Sequence, residues 1–167
     1  MKYYRPLEIQ TECISGVAFS LNAIRLSHDE NAFEKDHNTE ANLDLAAKLV
    51  RAGDDHAKAM RGIMVYTYMK LQVGFMIELE THRIGIETIM TSSTMHNELK
   101  NIKGEDLADA KQELLPFKVY RRATVFSYQA LRNIYLSRRQ HNHSDWQIFC
   151  DWIETLPFFN KLIKGEK

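Results

Sequence analysis

Three stretches of this 167-residue chain set cationic, imidazole and hydroxyl side chains into otherwise apolar sequence. The first centres on His56. The second runs from Glu78 through Thr81, His82 and Arg83 to the hydroxyl run Thr91, Ser92, Ser93 and Thr94. The third holds Arg132, Arg138, Arg139, His141 and His143. Arginine presents a planar fork of donors suited to phosphate or carboxylate oxygens, and a nearby histidine can donate a hydrogen bond or stack on a flat ring. Brought together, such groups suit a nucleotide. Taken one at a time they have plainer readings. His82 and Arg83 fit a solvated helix end whose dipole favours a cation. The three arginines fit an exposed helix face pairing with acids, worth under about 1 kcal/mol each. His141 and His143 have no cysteine or third ligand at a usual zinc spacing.

The elements that must position these groups are legible in part. Residues 6 to 26 carry short apolar runs broken by Gly16 and Asn22, which suggests a strand or two. Ser27 to Asn38 reads as a polar surface loop. Leu43, Ala46, Ala47 and Val50 recur at helical spacing before Gly53, a helix stop. Asp54 or Asp55 can cap a short turn through His56 to Met60. Residues 62 to 70 have strand composition, and residues 73 to 83 lean towards helix with a polar end. Ile84 to His96 returns to β-branched content. A helix is expected from Glu105 to Leu115, ended by Pro116, and a strand from Val119 to Val125. Tyr128, Leu131, Ile134 and Tyr135 form one apolar stripe behind the cap candidate Ser127, reaching about Gln140. Ser144 and Gln147 fit a capping box ahead of a last helix closed by Pro157.

Composition sets the bounds. The length suits one domain with a sizeable core. The 22 basic side chains balance the 22 acidic ones, so no global field would hold the protein on DNA or an anionic membrane, and any anion site must be local. No apolar run approaches the roughly 20 residues needed to span a bilayer. Cys13 and Cys150 stand far apart and read as core thiols in a reducing, cytoplasmic compartment. Tyr66, Tyr68, Tyr128, Tyr135, Phe149 and Trp152 read as core or subunit contacts.

From about residue 42 to residue 157 the chain resembles the flavin-dependent thymidylate synthases. Their signature is R-H-R-x-x-S-x-N-E-x-S-x-R-Y, preceded at a fixed distance by a histidine at a helix turn. Here T-H-R-I-G-I-E-T-I-M-T-S-S-T stands in that place and His56 lies at that distance upstream. Where the family has a helix ending in L-R, a histidine four residues later and then A-Q-W-E, this chain has S-R-R-Q-H-N-H-S-D-W-Q. It resembles more closely a phage and mobile-element branch with the patterns L-R-N-I-Y-x-x-R-R and W-x-x-F-C-D-W-I-E-x-L-P, here Leu131 to Arg139 and Trp146 to Pro157.

The resemblance implies an α+β fold, an antiparallel sheet packed with helices in a single domain. It also implies assembly with copies of itself as a homotetramer, because flavin and substrate sit between subunits. It assigns His56, His82, Arg83 and His143 to flavin adenine dinucleotide (FAD), and Arg139, Thr91 and Glu78 to a pyrimidine nucleotide. In the family's reaction a methylene group passes from a reduced folate to deoxyuridylate, and reduced flavin supplies a hydride. The protein's part is placement, and no serine or cysteine need act covalently.

The pattern also departs from the family. Thr81 replaces the first signature arginine, Glu78 a glutamine, Ile89 a glutamate, and Ser93 and Thr94 the arginine and tyrosine. Gln112 stands where a substrate arginine belongs, and Tyr128 and Ala130 replace an asparagine and an arginine. Each charge-assisted bond lost to a phosphate costs about 1.5 to 3 kcal/mol. The flavin side is therefore expected to be better kept than the substrate side, and a non-catalytic binding or assembly protein on the same scaffold is the alternative.

Overall fold

A computed structural model describes residues 4–34 and 39–166. Its centre is a four-stranded antiparallel sheet: β1 (Glu8–Ser15), β2 (Met64–Gln72), β3 (Ile86–Thr91) and β4 (Val119–Ser127), in the order β1-β2-β4-β3. Alternation decides which face is covered. On β2, Val65, Thr67, Met69 and Leu71 point inward and are buried, while Tyr66 and Tyr68 point away and are exposed. On β4 the inward set is Tyr120, Arg122, Thr124 and Phe126.

The helices are α1 (Val17–Ala23), α2 (Thr39–Ala52), α3 (Val73–Leu79), α4 (Glu105–Leu114), α5 (Tyr128–Arg138) and α6 (Ser144–Glu154), of which α3, α5 and α6 pack against the strands. A π-helical turn, Phe159–Lys164, follows α6 and buries Phe159, Leu162 and Ile163. The core is one continuous apolar cluster in which Trp146, Tyr128, Phe75, Phe126 and Phe149 are the largest fully buried side chains. Ser127 caps α5 by accepting from the Ala130 amide at 3.1 Å, and Tyr128 anchors the helix through its hydroxyl on the Pro157 carbonyl at 2.9 Å. The α+β class and the helix-packed antiparallel sheet expected from the sequence are present. No helix among the described residues is long and apolar enough to cross a membrane.

Several local expectations are corrected. The apolar run 6 to 26 is strand only as far as Ser15; Gly16, at φ 76°, turns the chain into α1. Short mixed runs do not distinguish the two periods, and packing of Leu21 into the core decides for helix. The segment after β2 stops being helix at Leu79, where the Thr81 hydroxyl donates to the Glu78 carbonyl at 2.7 Å and takes up one of its end groups. The cap of α6 is His143, not Ser144: its Nδ1 accepts from the Asp145 amide at 3.2 Å.

Cys13 is exposed, not a core thiol, while Cys150 is buried. The register shifts between Thr11 and Cys13, so Thr11 pairs with inward Thr67 but Cys13 pairs with outward Tyr66. Tyr66 and Tyr68, expected as core or subunit contacts, are exposed on this chain, which leaves the second of those readings. Helix α4 forms where expected but buries none of its residues fully. Of the polar loop expected over Ser27 to Asn38, residues 35–38 lie outside the described residues; before them the chain makes a short turn, Ala32–Glu34.

Candidate functional site

Two candidate regions lie at opposite ends of α5. Near its start, the Arg61 guanidinium donates to Gln129 at 2.6 Å and the Tyr128 amide donates to the Ile63 carbonyl, which fixes the turn Lys58–Arg61 against the helix. Beside that turn lies a groove of about 510 Å³ lined by Phe19, Ser20, Leu49, His56, Lys58 and Gly62 among others. His56 is exposed at its rim. Phe19 stacks on Phe33 with ring centroids 5.8 Å apart, and both rings are exposed. Ser20 is buried, and its hydroxyl has no hydrogen-bond partner. A Cβ at Gly62 would stand 2.3 Å from that oxygen, so the glycine keeps the space in front of it clear.

At the other end of α5 a second group gathers on one indole. Trp146 is fully buried and donates Nε1–H to Glu78 Oε2 at 2.6 Å. The His82 ring meets it edge-on at 5.5 Å, and the Arg138 guanidinium lies over it at 5.1 Å. Arg138 Nε–H donates to His82 Nε2 at 3.2 Å. Burial first, and the Arg138 charge second, hold the His82 pKa below its usual value, so at neutral pH the ring is the acceptor this bond needs. His143 lies 6.3 Å from Phe75, which meets Trp146 at 4.7 Å. The His143 amide donates to His141 Nδ1 at 3.1 Å. With Nδ1 accepting in both rings, Nε2 is left as the side of each that can donate.

Of the residues singled out in the sequence, Glu78, His82 and His143 thus share one aromatic platform. Arg83 follows His82 but is exposed; its Nε reaches only the Glu80 carbonyl at 3.4 Å, beside a 250 Å³ hollow. Thr91 lies apart, its hydroxyl accepting from Arg122 Nε at 3.1 Å, while Arg122 also pairs with Glu80. Arg139 lies apart as well. It pairs with Asp151 at 2.6 Å and Glu154 at 3.1 Å and so ties α5 to α6. In the same knot the Tyr135 hydroxyl donates to Glu154, and burial together with that bond pushes its pKa up to about 12. His56 lies beyond the far end of α5, where nine residues of helix at about 1.5 Å each separate Gln129 from Arg138 by roughly 14 Å.

The roles of Trp146 as platform and of Arg138 as its stacked cation were not separable in the sequence from core packing and a solvated helix face. The Phe19 and Ser20 wall of the groove had no sequence signal beyond an apolar run.

The chain superposes on thymidylate synthase X from Helicobacter pylori crystallised with FAD and dUMP, with a TM-score of 0.70 and 14% identity over 95% of this chain and 97% of that one. The chain has the fold of the flavin-dependent thymidylate synthases. A second Helicobacter pylori structure of this enzyme, also complexed with FAD and dUMP, gives 0.71 and 16% over 96% and 100%. A UMP/dUMP methylase, PolB, from Streptomyces cacaoi bound with 5-Br dUMP gives 0.68 and 14% over 96% and 95%. No family model matches the sequence, and no curated protein does. The likeness to the flavin-dependent thymidylate synthases is therefore one of fold, near-complete in length, at low sequence identity.

Proposed function

We propose that the protein binds FAD, with a pyrimidine nucleotide as its second ligand, in clefts completed by copies of itself. The observation that carries this reading is the convergence of His82 and His143 with Arg138 on the Trp146 and Phe75 platform. Half-buried imidazoles beside a cation with unused donors suit a flat anionic cofactor, with the buried Trp146 and Phe75 rings fixing them from behind. The groove at His56 adds a second fitting surface: an exposed aromatic pair and a buried hydroxyl without a partner, in space a Gly62 side chain would fill. A single chain keeps these two surfaces at opposite ends of α5. A second subunit, laying its His56 groove against the His82 end of the first, would join them; hence the assembly in the proposal.

In this reading His56, His82, Arg83 and His143 hold the flavin, and the protein's work is to orient rings and exclude water. Bound and reduced, the flavin would supply a hydride. The buried indole and the neutral His82 give one wall a low polarity, and Arg83 supplies charge at its open side.

The second reading, a binding protein without synthase chemistry, is favoured by a specific observation on the substrate side. Arg139 spends its guanidinium on Asp151 and Glu154, Thr91 its hydroxyl on Arg122, and Glu78 its carboxylate on Trp146. All three expected nucleotide contacts have internal partners.

The test is direct. Purified protein mixed with FAD should retain a visible flavin spectrum after gel filtration, and the double variant Arg83→Ala, His143→Ala should lose it while keeping its fold. Absence of bound chromophore, with no thermal shift from FAD or dUMP, would remove the nucleotide reading. Failure to complement a thymidine-requiring host, with flavin bound, would select the second reading.

A further inference from the structure

Adjacent arginines at the end of α5 have opposite fates. Arg139 turns to α6, where Asp151, Glu154 and Gln147 take its donors. Arg138 turns to Trp146. Its guanidinium carbon lies over the indole at 5.1 Å, its Nε is used by His82, and among the described residues no carboxylate pairs with it. The η-nitrogens therefore keep their four N–H donors, on a fork already held by the indole contact and by one hydrogen bond. Such a fork loses little freedom on meeting an anion. Arg83, the residue after His82, adds a second cation that touches only a carbonyl.

We propose that Arg138, stacked on Trp146 and steadied by His82, is this chain's binding group for a phosphoryl oxygen, the task that the sequence pattern gave to Arg139. His82 acts as a positioning residue, holding Nε so that the two η-nitrogens face outward. The ligand class is a phosphate ester or diphosphate; whether it is the monophosphate of a pyrimidine nucleotide or the diphosphate of a dinucleotide is left to the arms of the test. The inference rests on the nucleotide reading above for the identity of the ligand, but not for the anion site.

Calorimetric titrations with inorganic pyrophosphate and with dUMP, on wild type, Arg138→Gln, Arg138→Met and Arg139→Gln, decide it. Arg138→Met keeps an apolar stem over the indole, so it serves if Arg138→Gln does not fold, and thermal melts check each variant. The expected result is a loss of affinity of about tenfold or more on removing Arg138, as for any charge-assisted bond, with less than about a twofold change in Arg139→Gln. Loss with pyrophosphate alone identifies the diphosphate, and loss with dUMP alone the monophosphate. No binding of either probe by wild type, unchanged affinity without Arg138, or an equal or greater loss without Arg139 would overturn the proposal. Flavin uptake read separately keeps the outcomes apart: a chain that binds pyrophosphate through Arg138 but no flavin keeps this site and loses the cofactor reading.

Discussion

Trp146 gives its single N–H to Glu78 across 2.6 Å, joining the first turn of α6 to the last turn of α3. Because the indole is fully buried, its donor has no water to fall back on. Replacing Glu78 by Ala leaves that donor unpaired and should lower stability by about 1 to 3 kcal/mol. Glu78→Gln keeps an acceptor and should cost clearly less. Urea melts of the two variants make the comparison; equal losses would mean that the carboxylate does not serve the indole.

His82 makes stability depend on acid. Its folded pKa lies below the ordinary value of 6.5, first through burial and then through Arg138. The folded state therefore binds fewer protons than the unfolded one in the window below that value. The contribution is fully present above pH 6.5 and is lost as pH falls from there through the depressed folded value. Wild type should lose more stability between pH 7.5 and about 5.5 than His82→Gln does, as measured by urea melts at both pH values. Identical slopes would assign the acid sensitivity to other groups.

The helices α2 and α6 and the strand β4 were readable because their apolar positions keep one period over many residues. Segment 17 to 26 was not, because seven residues of helix carry too little periodicity to outvote a strand-like composition. The parity of β1 was hidden as well: only the bulge before Cys13 sends that thiol outward. At the candidate site, His82 and His143 were singled out through the family resemblance. The parting of Arg138 and Arg139 did not, since neighbouring positions on a helix point about 100° apart and only tertiary packing says which direction holds an acid and which an indole.

The two thiols should differ in reactivity. Cys13 is exposed, whereas burial pushes the Cys150 thiol up to about 11, and the thiolate is the reacting form. A disulfide reagent at pH 8 should titrate one thiol in the native protein and two in denaturant. Mass mapping should find the native label on Cys13; label on Cys150 would contradict its placement.

Gly16 meets Gly62 closely. A Cβ at Gly16 would lie 2.0 Å from the Gly62 carbonyl oxygen, and the backbone there has φ 76°. Gly16→Ala should cost more than about 1 kcal/mol and should disturb the groove behind Ser20. A melt within error of wild type would show that the α1 junction yields more easily than its geometry implies.

The stiffness of α5 has a genetic consequence. If one chain contributes its His56 end and another its His82 end to each pocket, two defective alleles need not be defective together. Co-expressed His56→Ala and His82→Ala chains would form hybrid particles in which some pockets inherit both unaltered halves, so a fraction of the flavin uptake lost by either parent should reappear. Hybrids as inert as their parents would mean that each chain builds its pocket from its own residues.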